Sequence, residues 1–273
     1  MNVAILYFSG TGGTAKVASD LAAGFHAEGC QVELFRLKRG LQFDLSNFDL
    51  FAVGSPAYSF RIPRLVSRLL RRLNFHQKPF FVFCTSGGMP GNALWNLYWV
   101  VKRTAGVCLG GLSIFAMTNL RSWMPKEGDS AASLWRITDH DTRIARATGK
   151  VILERLQQWQ TAPSKKLRNN WKPTPSLWTI LWSALFTWRW MMAATAGIKR
   201  IDKNRCNKCS LCATTICPSG AISISDDGWP KFNECKCVGC NGCLNLCPQD
   251  AIWSFISRHH QQYDLYKQFI LKK

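Results

Sequence analysis

The sequence predicts an α/β protein in which a doubly wound parallel sheet is followed by a small α+β domain. Strand-like apolar runs alternate with helical stretches in the first part of the chain, as a doubly wound sheet requires. Two cysteine runs, which together hold eight of the 12 cysteines, lie near the end. We expect residues 1–160 to form the sheet domain, 161–198 a helical linker rich in tryptophan, 199–257 the cysteine-rich domain and 258–273 a tail.

The first predicted strand, Val3 to Phe8, leads through a loop of hydroxyl-bearing residues and glycines into a predicted helix, Ala15 to Glu28. Backbone N–H groups and the helix dipole converge at such a helix N-terminus, so the loop predicts an anion site. It is not a Walker A loop, because no Gly-Lys-Ser/Thr follows, and it lacks the Rossmann pattern G-x-G-x-x-G. A purely structural glycine turn is the alternative. The candidate anion-binding residues are Ser9, Gly10, Thr11, Gly12, Gly13 and Thr14.

Two further strand-like segments, Leu50–Gly54 and Pro79–Cys84, run into polar or glycine-rich loops. Ligands bind to open α/β sheets at the loops that leave the carboxyl ends of the strands. We therefore expect the loops after the first, third and fourth strands to form one crevice. The candidates in the two later loops are Pro56, Ala57, Tyr58, Ser59, Phe60, Thr85, Ser86, Gly87, Gly88, Met89, Gly91 and Asn92. Tyr58 and Phe60 have an alternative as ordinary core aromatics.

The two cysteine runs carry the most specific pattern in the sequence. The second reads C-x2-C-x2-C-x3-C-P, a spacing in which three thiolates bind one iron–sulfur cube and the fourth binds another. Zinc would favour two C-x2-C pairs in one tetrahedral site. Disulfides would favour a secreted protein, whereas the opening MNVAILYFSG has no signal-peptide pattern. The runs are Cys206, Cys209, Cys212, Cys217 and Cys237, Cys240, Cys243, Cys247.

The first run departs from the usual spacing. Four residues, 213–216, separate its last two cysteines, where the usual spacing has three. A one-residue bulge beside Cys217 would absorb the insertion. The alternative is a [3Fe–4S] or altered cluster at Cys237, Cys240 and Cys243.

Residues 199–256 resemble the dicluster bacterial ferredoxins, because each cysteine run is followed by a short apolar segment and the two halves are alike. The resemblance implies two [4Fe–4S] clusters with crossed ligation. It gives the first cluster site Cys206, Cys209, Cys212 and Cys247. It gives the second cluster site Cys237, Cys240, Cys243 and Cys217.

The anion loop resembles the phosphate loop of flavodoxins, S/T-x-T-G-x-T. The matching residues are Ser9, Thr11, Gly12 and Thr14. The resemblance implies that FMN binds with its phosphate in this loop, with Tyr58 or Phe60 near one side of the flavin ring and the backbone of Ser86–Asn92 near its polar edge. As a whole, the sequence resembles the flavodoxin–ferredoxin fusion proteins of anaerobic microbes.

The protein is strongly basic, with 35 Lys plus Arg, 16 Asp plus Glu and a formal charge of +19. Basic residues follow the Tyr58 loop at helical spacing: Arg61, Arg64, Arg68 and Arg72, with Arg71 beside them. Such a stripe predicts attraction of an acidic redox partner or anionic lipid, and a merely solvated helix face is the alternative. We expect no nucleic acid partner, because no nucleic-acid-binding motif accompanies the charge.

Residues 161–175 are predicted to form a surface connection, and 177–197 contain four tryptophans. Arg189 interrupts this apolar segment, which leaves less than the length of about 20 residues that crosses a bilayer. Tryptophans flanked by basic residues are typical of an interfacial helix. Peripheral membrane contact through 176–197, packing between the domains and a true membrane span all remain open.

These patterns favour an intracellular electron-transfer protein that exchanges single electrons between two [4Fe–4S] clusters, an FMN and a redox partner. We expect a cytoplasmic location, with peripheral membrane association as an option. The alternatives are a flavin-dependent reductase of a small molecule or quinone, and an iron–sulfur sensor without flavin. The sequence has no hydrolase-type arrangement of catalytic residues.

Overall fold

The computed structural model of the protein describes residues 1–40, 42–116, 119–120, 136–178, 180–181, 196–258 and 262–271. Its N-terminal part is a parallel sheet of five strands in the order β2-β1-β3-β4-β5. The strands are β1 (Asn2–Tyr7), β2 (Gln31–Arg36), β3 (Leu50–Pro56), β4 (Phe80–Ser86) and β5 (Cys108–Phe115). This order is that of the flavodoxin-like doubly wound fold, and it confirms the predicted fold class.

Helices cover both faces of the sheet. They are α1 (Gly13–Ala27), α2 (Arg64–Leu70), α3 (Ala93–Lys102), α4 (Asp139–Thr161) and α5 (Lys165–Trp171). Apolar residues of α2 and α3 pack on one face with Phe51, and those of α1 and α4 pack on the other face with Ala52. Because β3 and β4 are covered on both sides, every residue in them is buried. This explains why their sequences are continuous apolar runs rather than alternating ones.

The arginine stripe is only partly helical. Since α2 ends at Leu70, Arg61 lies before the helix and Arg71 and Arg72 lie after it. Arg64 and Arg68 are on α2. Both are exposed, and so are Arg71 and Arg72.

The cysteine-rich part is built from short elements in two unequal halves. These are β6 (Arg200–Ile201), a π-helical turn (Cys212–Ile216), β7 (Ile222–Ile224), β8 (Pro230–Phe232), α6 (Gly242–Leu246) and β9 (Ile252–Trp253). Two antiparallel pairs form, β6 with β9 and β7 with β8. The turn between β7 and β8 contains Gly228, which has a φ of 83°.

The sheet domain and the cysteine-rich part pack against each other. Ala15 of α1 and Tyr7 of β1 share a hydrophobic cluster with Ile216, Leu244 and Ile270. The tail also contacts both parts: the Tyr266 hydroxyl accepts a hydrogen bond from the Ile137 N–H at 2.8 Å, and the Tyr263 N–H donates to Asn245 Oδ1 at 2.9 Å. The segment 262–271 therefore ties the cysteine-rich part to the sheet domain.

Most of the tryptophan-rich segment lies outside the described residues, including Trp182, Trp188, Arg189 and Trp190. Its beginning is described, and the side chains of Leu177, Trp178 and Leu181 are 78%, 68% and 62% exposed. In the part of the protein that the structure covers, no helix has the length and apolar character needed to cross a bilayer.

Candidate functional site

The carboxyl ends of β1, β3 and β4 open into one cleft, as predicted for the three loops. The predicted residues that line it are Ser9, Gly10, Thr11, Gly13, Thr14, Pro56, Ala57, Tyr58, Thr85, Ser86 and Gly87. About 430 Å³ of empty space, open to solvent, lies among them. The cleft therefore joins an anion-binding helix terminus to the loops that follow two buried strands.

The loop before α1 is shaped for an anion. Gly12 takes a left-handed φ of 105°, and its N–H donates to the buried Ser9 Oγ at 3.1 Å. Thr14 Oγ1 lies 2.8 Å from Thr85 Oγ1, which ties the first loop to the third. Among the described residues no side chain caps the N-terminus of α1. The N–H groups of its first turn therefore stay available to an anion in the cleft.

Other predicted residues lie outside the cleft lining that the structure describes: Gly12, Ser59, Phe60, Gly88, Met89, Gly91 and Asn92. The Phe60 carbonyl accepts a hydrogen bond from the Asn92 N–H at 2.8 Å. A Cβ at Gly91 would lie 2.4 Å from the Phe60 Cβ. Phe60 therefore packs against the loop that follows β4. Of the two candidate aromatic residues, Tyr58 is the one that lines the cleft.

Two cleft residues were not predicted from the sequence, Ala116 and Asn119, which follow β5. Asn119 Nδ2 donates to the Cys240 carbonyl at 2.9 Å, and the Asn119 carbonyl accepts from the side-chain amides of Asn241 and Asn245 at 3.2 and 3.1 Å. The position of these two residues after a strand could have indicated them, because the carboxyl end of a fifth parallel strand lies at the same edge of the sheet.

The four cysteines predicted for the first cluster site line a pocket of about 390 Å³ of empty space that is partly open to solvent. They are Cys206, Cys209, Cys212 and Cys247. Burial, together with the charges of Cys247, Cys209 and Cys206, raises the pKa of Cys212 to about 11. Among the described residues no three Cys, His, Asp or Glu side chains meet around a single metal ion. A cube bound by four thiolates needs the sulfurs around a cavity, as here.

The second site gathers cysteines from both runs. Burial raises the pKa of Cys240 to about 12, and the charges of Cys237 and Cys217 act in the same direction. Burial likewise raises the pKa of Cys243, with further contributions from Cys240, Cys237 and Cys217. Cys217 therefore lies beside the second run rather than with its own.

A π-helical turn takes up the extra residue in the first run. The Cys217 N–H donates to the Cys212 carbonyl at 3.1 Å, a hydrogen bond across five residues. Such a turn holds one residue more than an α-helical turn, and single π turns are frequent at functional sites. The second run has the α-helix α6 at the corresponding place.

The cleft and the second site touch each other. A Cβ built on Gly10 would lie 2.7 Å from the Cys240 Cβ, and a Cβ on Gly242 would lie 2.7 Å from the Gly10 carbonyl oxygen. Any side chain at either glycine would force the two backbones apart. In the first run Leu211 stands where the second run has Gly242. The glycine at this place therefore suits the second run to its contact with the loop before α1.

No family model matches the protein. Over 52 residues it is 40% identical to pyruvate synthase subunit PorD of Methanocaldococcus jannaschii, covering 19% of this protein and 59% of the relative. Over 47 residues it is 45% identical to the B subunit of anaerobic dimethyl sulfoxide reductase from Haemophilus influenzae, covering 17% of this protein and 23% of the relative. The matches therefore span between 23% and 59% of the length of these curated relatives.

Similar solved structures include a flavodoxin from the domain Archaea, with a TM-score of 0.45, 18% identity, and coverage of 57% of this protein and 99% of the other. Another is rubredoxin oxygen:oxidoreductase from Desulfovibrio gigas, with a TM-score of 0.45, 21% identity, and coverage of 59% and 37%. By its own strand order and its paired cysteine runs, the protein joins a flavodoxin-like domain to a ferredoxin-like, cysteine-rich domain.

Proposed function

We propose that the protein is an electron carrier that passes single electrons between two [4Fe–4S] clusters and an FMN, and exchanges them with a redox partner. The contact between Gly10 of the anion loop and Cys240 of the second cysteine run carries this proposal. This contact supports a direct passage of electrons between the proposed flavin site and the proposed second cluster site, because the two adjoin within one polypeptide. When bound, the clusters supply one-electron transfer and the flavin supplies storage of one or two electrons.

The cysteine sites suit thiolates that bind clusters. Backbone N–H groups donate to the sulfurs of Cys206, Cys217 and Cys237 at 3.4, 3.3 and 3.4 Å. Such hydrogen bonds stabilise thiolate charge and tune the potential of a cluster. Because burial keeps free thiols protonated, cluster assembly must release protons from Cys212 and Cys240.

The cleft suits a flavin nucleotide. The start of α1 and the hydroxyls of Ser9, Thr11 and Thr14 would hold the phosphate. Tyr58 and the Thr85–Gly87 backbone line the part of the cleft that would hold the ring. Burial raises the pKa of Tyr58 well above its usual value, and the charge of Cys240 adds a smaller contribution. The Tyr58 phenol therefore stays neutral between the cleft and the second site.

For the partner, we propose a protein with an acidic docking surface. Arg64, Arg71 and Arg72 are exposed and follow the Tyr58 loop at the cleft. Exposed cations speed the encounter with an acidic partner, and salt screens this effect.

We also propose that 176–197 makes peripheral contact with a membrane from the cytoplasmic side. The exposed side chains of Leu177, Trp178 and Leu181 and the basic residues before them support this contact. Binding of the purified protein to anionic vesicles, lost when Leu177 and Trp178 are changed to Ser, would test it. Equal binding by the variant would contradict it.

The first experiment is anaerobic purification with iron, acid-labile sulfide and flavin quantified. We expect about eight iron, about eight sulfide and about one FMN per polypeptide. Clusters without flavin would contradict the proposal and favour an iron–sulfur sensor. Saturable reoxidation of the flavin by one small molecule, with no partner protein, would favour the reductase alternative.

A further inference from the structure

A partly buried arginine, whose Nε is fully buried, lies between the two cofactor sites. Arg36 is the last residue of β2 and pairs in register with Tyr7 of β1. Its guanidinium donates three hydrogen bonds, all to backbone carbonyls: Nη1 to Thr215 at 2.8 Å, and Nη2 to Ser9 and Ile216 at 3.0 Å each. One side chain thus joins the loop before α1 to the π-helical turn before Cys217.

Arg36 has no carboxylate partner among the described residues, and its buried Nε has no hydrogen-bond partner there. Burial lowers the pKa of Arg36, while the nearby thiol groups of Cys240 and Cys217 raise it. A cation held partly out of water without a counter-ion is unfavourable, so the position favours an anion in its surroundings.

The residues around Arg36 indicate which anion this is. Ile216 directly precedes Cys217, and Ser9 directly precedes Gly10. A Cβ built on Gly10 would lie 2.7 Å from the Cys240 Cβ. Cys217 and Cys240 both belong to the second cluster site. A cube held by four thiolates carries net negative charge, and this charge grows by one when the cube accepts an electron.

A second cation near this site, Lys199, is buried and already paired with a carboxylate. Lys199 Nζ lies 2.9 Å from Glu234 Oε2, and its backbone N–H donates to Glu234 Oε1 at 2.7 Å. Arg36 therefore differs from Lys199 in that its positive charge is not compensated by a carboxylate of the described residues.

Resting on the proposed function, we propose that Arg36 is a positioning residue for the second cluster. Its positive charge favours the reduced form of that cluster, and its hydrogen bonds hold the Ser9 loop against the cysteine run. Uptake of one electron by a bound cluster would make or break no bond at Arg36, which would keep its proton and supply only its charge.

The test is a redox titration of the anaerobically purified full-length protein, followed by electron paramagnetic resonance. Cys217→Ser and Cys247→Ser variants first show which signal belongs to which site. In Arg36→Gln we expect the midpoint potential of the second cluster to become more negative, while that of the first cluster stays unchanged. Arg103→Gln is the control, because Arg103 is exposed at the end of α3, beside Gln77 and the start of β4 at the opposite edge of the sheet, and it should shift neither potential.

Arg36→Lys covers the case in which Arg36→Gln does not assemble. It keeps the charge but loses the fork of hydrogen bonds, so we expect a near-normal potential and a lower melting temperature. Unchanged potentials in Arg36→Gln, equal shifts of both clusters, or a large negative shift in Arg36→Lys would overturn the inference. Wild-type protein without clusters would instead refute the proposed function, and this inference with it.

Discussion

Two glycines set the distance between the sheet domain and the cysteine-rich domain. At Gly10 and Gly242 the backbones approach so closely that a Cβ on either would lie 2.7 Å from an atom across the contact. Contacts this short are possible only without a side chain. The closeness of the two cofactor sites therefore depends on the absence of two methyl groups.

Gly242→Ala should loosen this contact. Overpacking of this kind typically destabilises by about 1–3 kcal/mol. We expect a lower melting temperature and slower electron transfer between cluster and flavin, with iron and FMN content retained. Gly13→Ala is the control for stability, because its Cβ would lie 3.6 Å from Ala116, an ordinary contact, and since Gly13 lines the cleft the melting temperatures are compared with FMN removed. Identical melting temperatures for both variants would refute the interpretation of Gly242.

Three of the four cysteines outside the two runs should differ in the reactivity of their thiols. Cys235 is exposed, whereas burial raises the pKa of Cys84 to about 11 and that of Cys108 to about 12. At pH 8 only about one in a thousand Cys84 groups is a thiolate, and the thiolate is the form that reacts. We expect anaerobic alkylation of the native cluster-loaded protein, followed by mass spectrometry, to label Cys235 rapidly and to spare Cys84 and Cys108. Fast labelling of Cys84 or Cys108 in the folded protein would show that the sheet core is open.

Among the elements, the π-helical turn Cys212–Ile216 has the clearest chemical consequence. It lets a run with one extra residue bring Cys217 beside Cys240 and Cys243. The spacing predicted a bulge at this place, because the extra residue had to be absorbed somewhere. The type of turn could not be predicted, since it depends on packing of Ile216 against the sheet domain.

Removing the exposed Thr214 should convert the π turn into an α turn like that of α6. Because the usual spacing is then restored, we expect the deletion variant to retain about eight iron atoms and the normal cluster signals. Cys217→Ser should instead yield a [3Fe–4S] or altered second cluster. A [3Fe–4S] signal in the deletion variant would contradict the interpretation that the turn only accommodates the additional residue.

At the scale of the whole molecule, the two domains and the tail form one packed unit. The parallel strands and the cysteine groups were predictable, because buried runs and ligand spacings are local patterns. Arg36 and Asn119 belong to no local motif, so their contacts with the cysteine-rich domain could not be predicted. They become recognisable only when the fold brings β2 and the end of β5 next to residues more than 100 positions away.

The central claim is that electrons pass between cluster and flavin within a single polypeptide. It is tested most directly by rapid photochemical reduction of the anaerobic protein, with the cluster and flavin absorbances followed in time. We predict first-order transfer between the two chromophores at a rate that does not change with protein concentration. A rate proportional to protein concentration, or no transfer while both cofactors are bound, would contradict the account.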